Sequence, residues 1–285
     1  MDVKLRRMFH DAYISANEPE LDRLWKQVAP QRLIKFFPAQ YLSDGTNYAL
    51  DCVKNEKLWM SSPKQFNDPF DCVVNVDYEH EASVISQTIL ELFVGNIGAN
   101  EILQSELGKE AVKMAYNVLQ MGMTELDRRM EQGIFVSCFS EYDNVRSLRM
   151  WAHYANNHKG ICVEYNFKDV NNACTFGCIP IIYTNEYSLQ QNYAGDAVRR
   201  ILDLVYTKAL EWQYEKEWRL SAILEEANQS GYKTDFCSPQ CIYLGCKAED
   251  RLKTEVQSYC IDKGIALYQM KLHPGSYALD ADRIV

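Results

Sequence analysis

Apolar residues follow two rhythms along this chain, and the switches between them mark out its elements. Leu33-Ile34-Lys35-Phe36-Phe37, closed by Pro38, is a compact run with strand character, and Leu58-Trp59-Met60-Ser61-Ser62-Pro63 is a second. Ile134 to Ser140, Ile161 to Phe167 and Pro180 to Tyr183 repeat that character. Between these runs the spacing lengthens to three and four, the helical period. Leu21, Leu24, Trp25 and Val28 follow Asn17 and Pro19, a capping residue and a first-turn proline, so a helix is expected there. Residues 47–55 predict a short helix. Residues 79–132 predict two or three longer ones, with Val84, Ile85, Ile89, Leu92 and Phe93 on one stripe and Val112, Ala115, Tyr116 and Leu119 on another, interrupted at Gly95, Gly98 and Gly108.

Ser147 to Ala155 places Leu148, Trp151 and Ala155 on one helical face, and His158-Lys159-Gly160 ends that helix with basic groups and a glycine. A further amphipathic helix is expected over 196–211, carried by Val198, Ile201, Leu202, Val205 and Leu210, with a polar loop beyond Glu226. Ile242-Tyr243-Leu244-Gly245, a helix over about 249–263 and Ile265 to Met270 form a strand–helix–strand unit. The expected fold is α+β, with a mixed, mostly antiparallel sheet as its core. Residues 1–32 form a helical lead-in, and residues 33–285 form one domain with a helical insertion at about 79–132 that covers the sheet.

Composition adds limits. The net charge of −9 argues against a broad electrostatic grip on nucleic acid, while leaving room for a local basic groove. The start, Met1 to Arg7, lacks the apolar core of a signal peptide, and no run approaches the ~20 apolar residues that span a bilayer. The expected setting is cytoplasmic and off the membrane, and the ten cysteines are read there as thiols, with no metal site expected. No P-loop or dinucleotide glycine fingerprint is present.

The densest chemistry lies in Trp212-Gln213-Tyr214-Glu215-Lys216-Glu217-Trp218-Arg219-Leu220. An extended chain alternates faces, so Glu215, Glu217 and Arg219 share one side while Trp218 and Leu220 seek burial on the other. Two close carboxylates raise one pKa, and the guanidinium keeps the other acid ionised; the same trio also suits an ordinary surface ion pair. Lys35 either snorkels to a rim or faces a pocket. Phe66-Asn67-Asp68-Pro69-Phe70-Asp71 reads as a rigid turn, with Phe66 and Phe70 plugging into the core and Asn67, Asp68 and Asp71 offered to a ligand or to the turn itself. His153 is either a general acid/base or a polar residue at a helix edge.

Four landmarks, Leu58–Pro63 with Phe66–Asp71, Ser137–Ser140, Met150–Ala155 with His158–Gly160, and Trp212–Leu220, together resemble a bacterial family known only as domain of unknown function 2971, over roughly residues 33–272. More distantly, the order of elements is similar to the NAD-consuming ADP-ribosyltransferase superfamily, including its DNA-modifying toxin branch. That resemblance implies a cleft between two small sheets that grips the nicotinamide end of NAD, and a defence or toxin-type effector acting on a protein or nucleic-acid target. Residue by residue it implies that Lys35 holds the dinucleotide, in place of the usual His or Arg, that Tyr154 stacks on nicotinamide, and that Glu217 is the catalytic acid. His153 joins Glu217 and Tyr154 as a catalytic candidate; Trp59, Ser61, Asn67, Asp68, Trp151, Glu215 and Arg219 join Lys35 as candidates for binding NAD or another nucleotide. Two other classes stay open: a metal-dependent hydrolase or nuclease using Asp68, Asp71, Glu215 and Glu217 as oxygen ligands, and a non-enzymatic binding module.

Overall fold

The computed structural model describes residues 3–73, 78–174, 177–185, 204–224 and 229–285. Two helices open the chain, α1 (Val3–Ile14) and α2 (Glu18–Val28), and two short ones, α3 (Tyr48–Lys54) and α7 (Phe167–Asn171), come later; Asn17 caps α2 by accepting from the Glu20 N–H. Phe9 of α1 packs 5.2 Å from Trp25 of α2, and Trp25 meets Trp218 edge-on at 6.4 Å, so the lead-in lies against the strand that carries the central motif.

The sheet contains β1 (Arg32–Phe37), β2 (Lys57–Ser61), β3 (Ile134–Glu141), β4 (Ile161–Asn166), β5 (Cys178–Pro180), β8 (Glu217–Ile223), β9 (Gly231–Asp235), β10 (Cys241–Leu244), β11 (Ala266–Leu272) and β12 (Leu279–Arg283). Two short strands, β6 (Ile182–Thr184) and β7 (Thr207–Ala209), pair separately and in parallel. In the large sheet β10 and β11 are parallel and every other pair is antiparallel, as the α+β reading expects. The parallel pair is the strand–helix–strand unit, joined by α8 (Asp250–Lys263); β12 and β9 are strands that the apolar rhythm did not announce.

One strand organises the rest. Along one edge β3 pairs with β8 continuously from Ile134 to Ser140. It also meets β2 at the single pair Ser61↔Val136, and β1 at Ser140↔Ile34 and Glu141↔Leu33. Between those points Ser137, Cys138 and Phe139 have β8 as their sole partner strand, while Lys35 to Phe37 pair only with β4. β1 and β2 therefore diverge from a shared strand, and the sheet splits there.

Core residues lie on both faces. On one, Met150 and Trp151 of α6 (Leu148–Tyr154) pack against Ile34, Phe36, Cys162 and Tyr243, with Trp151 edge-on to Phe36 at 5.2 Å. Three successive left-handed residues, Asn156, Asn157 and His158, turn the chain out of α6. Gly160 then runs so close to β1 that a Cβ would lie 2.0 Å from the Phe37 carbonyl oxygen, which excludes any other residue.

The helical insertion departs from expectation. α4 (Tyr78–Gln104) and α5 (Glu106–Gly133) pack mainly on each other. Val84, Ile89, Leu92 and Phe93, expected to cover the sheet, are exposed, the last two at 81%. By length and composition α4 is the one helix among the described residues that could cross a membrane. Gly95, at φ 71° and ψ 168°, breaks it, and Gln87 reaches Asn100 across the break at 3.5 Å, so the two halves fold back rather than run straight.

The helix expected over 196–211 falls largely outside the described residues. Leu204 and Val205 are helical, but Thr207–Ala209 is β7, because pairing with Ile182–Thr184 overrides the local helical spacing. Trp212 to Leu220 is not one extended run either. Leu210–Glu215 forms a 3₁₀ turn, Lys216 is left-handed at φ 47° and ψ 48°, and β8 begins at Glu217.

Candidate functional site

A cleft of about 550 Å³ opens where the sheet splits. Its walls come from β1 (Lys35, Phe36, Phe37), β2 (Trp59, Ser61), the turn after β2 (Phe66, Asn67, Asp71), β3 (Ser137 to Ser140) and α6 (Met150, His153, Tyr154). Lys208, Glu215, Glu217 and Arg219 also line it. Its size falls within the range of small-molecule sites.

The innermost groups form one buried ionic network. Arg219 is 0% exposed. Its Nη1 and Nη2 donate to the two Asp71 carboxylate oxygens at 2.8 and 2.6 Å, its Nε to Glu217 Oε1 at 2.6 Å, and Nη1 also to the Val205 carbonyl at 2.6 Å. Phe66 lies against the guanidinium at 5.3 Å. Lys208 Nζ bridges Glu215 at 2.7 Å, Glu217 at 3.1 Å and Asp71 at 3.5 Å. Tyr154 donates its hydroxyl to Glu215 Oε1. Three carboxylates thus face two cations, and one negative charge is left without its own partner.

That imbalance separates the two glutamates. Burial, followed by the charge of Glu217, raises the Glu215 pKa to about 7. Burial pushes Glu217 the same way, but Arg219 and Lys208 outweigh it and hold its carboxyl far below the usual range. Neighbouring carboxyls driven apart in this way form an acid/base pair in which one member exchanges a proton near neutrality and the other stays ionised.

Linkage gives a measurable sign. Glu215 binds its proton more tightly folded than unfolded, where a glutamate titrates near 4.3. Its contribution to stability is therefore present below about pH 4.3 and is lost as pH rises towards 7. Between pH 5 and 8 the wild-type protein is expected to lose stability relative to Glu215→Gln, by at most about 2.5 kcal/mol. Urea denaturation of both proteins across that range checks it, and parallel pH profiles would contradict the shared-charge account.

The remaining sequence candidates divide. Lys35 does not snorkel to a rim. Its Nζ enters the split and donates to the Cys138 carbonyl at 2.9 Å, an acceptor left open where β1 and β2 part, and burial lowers its pKa. His153 is exposed at the mouth, its ring 6.4 Å from Trp212 and 6.5 Å from Tyr214. Trp59 and Ser61 line the β2 side, and Asn67 lines the cleft from the turn. Trp151 does not reach the cleft; it is buried beneath it and donates its indole N–H to the Val145 carbonyl at 2.7 Å. Asp68 is also absent from the lining and accepts from the Phe70 N–H at 2.9 Å, so it shapes the turn. Phe66 plugs inward as expected, whereas Phe70 is 65% exposed.

The four-acid metal set does not assemble, because Asp68 stays in its turn and the other three carboxylates hold Lys208 and Arg219. Among the described residues no group of three or more His, Cys, Asp or Glu side chains is placed to hold a metal ion.

Lys208 was missed by sequence reasoning, since it lay inside an apparent helix and only the β6–β7 pairing aims it inward. The shared face of Glu215 and Glu217 was expected from strand alternation but arises otherwise: the left-handed turn at Lys216 brings the end of a 3₁₀ turn and the start of a strand to one cavity.

Residues 150–220 match the family described as Protein of unknown function (DUF2971). The matched segment carries His153, Tyr154, Lys208, Glu215, Glu217 and Arg219; Lys35, Asp71 and the β3 wall lie outside it. Neither a curated protein nor a solved structure matches the chain.

Proposed function

We propose that the cleft is the active site of an NAD-consuming enzyme of the ADP-ribosyltransferase type. The observation that carries this reading is the division of labour between Glu217, held ionised at the floor of a split sheet, and Glu215, poised near neutrality beside it.

Breaking the bond between nicotinamide and ribose sends the electron pair to the ring nitrogen and leaves positive charge on the sugar. An anion fixed beside that carbon before the reaction lowers the barrier, because its environment needs no reorganisation. Glu217 suits that role. Its cations fix its position and ionisation, and the network carries an excess negative charge whenever Glu215 is ionised. Each carboxylate oxygen has two lone pairs, so these ion pairs leave capacity for a ribose hydroxyl.

An acceptor oxygen then bonds to the same carbon and releases a proton. Glu215, with its pKa near 7, takes it. Tyr154 supplies a wall for the leaving ring while its hydroxyl orients Glu215, and Lys35 offers its charge to the dinucleotide phosphates. The acceptor is water or a group on a protein or nucleic acid, as suits a cytoplasmic toxin or defence effector.

Incubation with NAD is expected to release nicotinamide, read by chromatography, and NAD but not unrelated nucleotides or divalent metals is expected to raise the melting temperature. A network serving only to fasten β7, β8 and the Asp71 turn together gives neither signal. Absence of both, with DNA, RNA and lysate supplied as acceptors, removes the reading.

A further inference from the structure

The N-terminal helices lie outside the matched segment, yet one of their side chains reaches the backbone behind the site. Arg6 of α1 is buried. Its Nη1 donates to the Ile181 carbonyl at 2.8 Å and to the Glu217 carbonyl at 3.2 Å; its Nη2 donates to Glu141 Oε1 at 2.8 Å. The guanidinium also lies 5.6 Å from the ring centre of Tyr183, whose hydroxyl accepts the Glu217 N–H at 2.8 Å. Both backbone polar groups of Glu217 are thus held by side chains, one from α1 and one from β6.

The residue before Glu217 explains why such anchors matter. Lys216 is a non-glycine residue in the left-handed region, a disfavoured conformation that persists only where its surroundings enforce it. The side chain of Lys216 points to the surface and pairs with Asp143, adding little constraint. The turn is held instead through its backbone: on the entry side Asn144 Nδ2 donates to the Tyr214 and Glu215 carbonyls at 2.9 and 2.6 Å. The Glu141 N–H donates to the Lys216 carbonyl at 3.2 Å, and the Ile181 N–H shares the Glu217 carbonyl with Arg6 at 3.0 Å. Arg6 touches all three strand segments that meet here, at Glu141 of β3, at Glu217 of β8, and at Ile181 between β5 and β6.

We infer that Arg6 is a positioning residue: by clamping Glu141, Ile181 and the backbone of Glu217 together, it holds the left-handed turn that presents Glu215 and Glu217 to one cavity, which makes α1 part of the working site. This rests on the reading of the cleft given above. Without the clamp the turn relaxes, the two carboxylates separate, and their mutual effect on titration weakens. Misplacement of about 1 Å in a catalytic constellation is worth on the order of 10²-fold in rate.

The test uses the full chain with Arg6→Gln and Arg6→Lys, read by two independent measurements at a temperature where both remain folded by circular dichroism. The first is nicotinamide release from NAD. Arg6→Gln is expected to lower kcat by about tenfold or more with KM nearly unchanged, and Arg6→Lys to fall between, because one ammonium cannot span three acceptors. The second is the Glu215 titration, followed by carboxyl carbon NMR, which is expected to move down from near 7 towards ordinary values in both variants. A folded variant with wild-type kcat, KM and titration overturns the inference, whatever its melting temperature. If the wild-type protein releases no nicotinamide, the functional reading fails and the titration alone decides: a downward shift supports the clamp, and an unmoved one overturns it. Should Arg6→Gln not fold, Arg6→Lys is judged by the same two measurements.

Discussion

Replacing Arg219 by methionine is expected to destabilise the protein by about 3–5 kcal/mol, the cost of stripping the partner from buried charges. Methionine fills much the same space, so the loss is electrostatic rather than a cavity effect. Asp71 and Glu217 would be left sharing Lys208, which already serves Glu215. Arg219→Lys is expected to recover only part of the loss, since a single ammonium cannot hold both Asp71 oxygens and Glu217 at once. The deficit has a characteristic pH dependence. Glu217 titrates below its unfolded value in the wild type, so its stabilising contribution is present above about pH 4.3 and is lost as pH falls below it. Wild type and variant should therefore converge in acid. Urea unfolding at pH 7 and at pH 3 measures both effects; a difference under about 1 kcal/mol at pH 7 would mean the network is far more solvated than its burial implies.

Glu217→Gln is expected to abolish nicotinamide release, by on the order of 10²–10³-fold or more, while keeping the fold. The amide matches the carboxylate in shape. Removing one negative charge also leaves Asp71 and Glu215 facing Lys208 and Arg219, two against two, so no buried cation is orphaned. The same argument makes a second, chemical prediction. Glu217 is the chief charged neighbour raising Glu215, so in the variant Glu215 should titrate below its wild-type value of about 7. Loss of turnover with a shifted Glu215, in a variant that circular dichroism shows to be folded at the assay temperature, separates a catalytic charge from a structural one, even though the lost ion pairs lower the melting temperature. Wild-type turnover in a folded Glu217→Gln protein would end its assignment as the anion beside the sugar.

These effects depend on residues of unequal legibility. Glu215, Glu217 and Arg219 stand within five positions of one another, so their proximity needed no knowledge of the fold. Lys208 did not stand out, since its neighbours suit a helix and only the parallel pairing of β6 with β7 turns it inward. Asp71 was readable as part of a rigid turn, but not as the fork-to-fork partner of a residue 148 positions away. The exposed stripe on α4 shows the opposite failure: its periodicity is genuine, yet periodicity reports that a face is apolar and not what covers it.

What the sequence by itself determined was local: strands written as apolar runs, helices written as three-and-four spacing with their caps, and a sheet that had to be mostly antiparallel. Such features follow from neighbours along the chain and from which faces seek burial. Only the tertiary structure decided that β1 and β2 part along β3, that a left-handed Lys216 aims two glutamates into one cavity, and that Arg6 braces that turn from a helix more than two hundred residues away. Each of these depends on contacts between distant segments, and the charge left over in the buried network is a property of five side chains that no single stretch of chain contains.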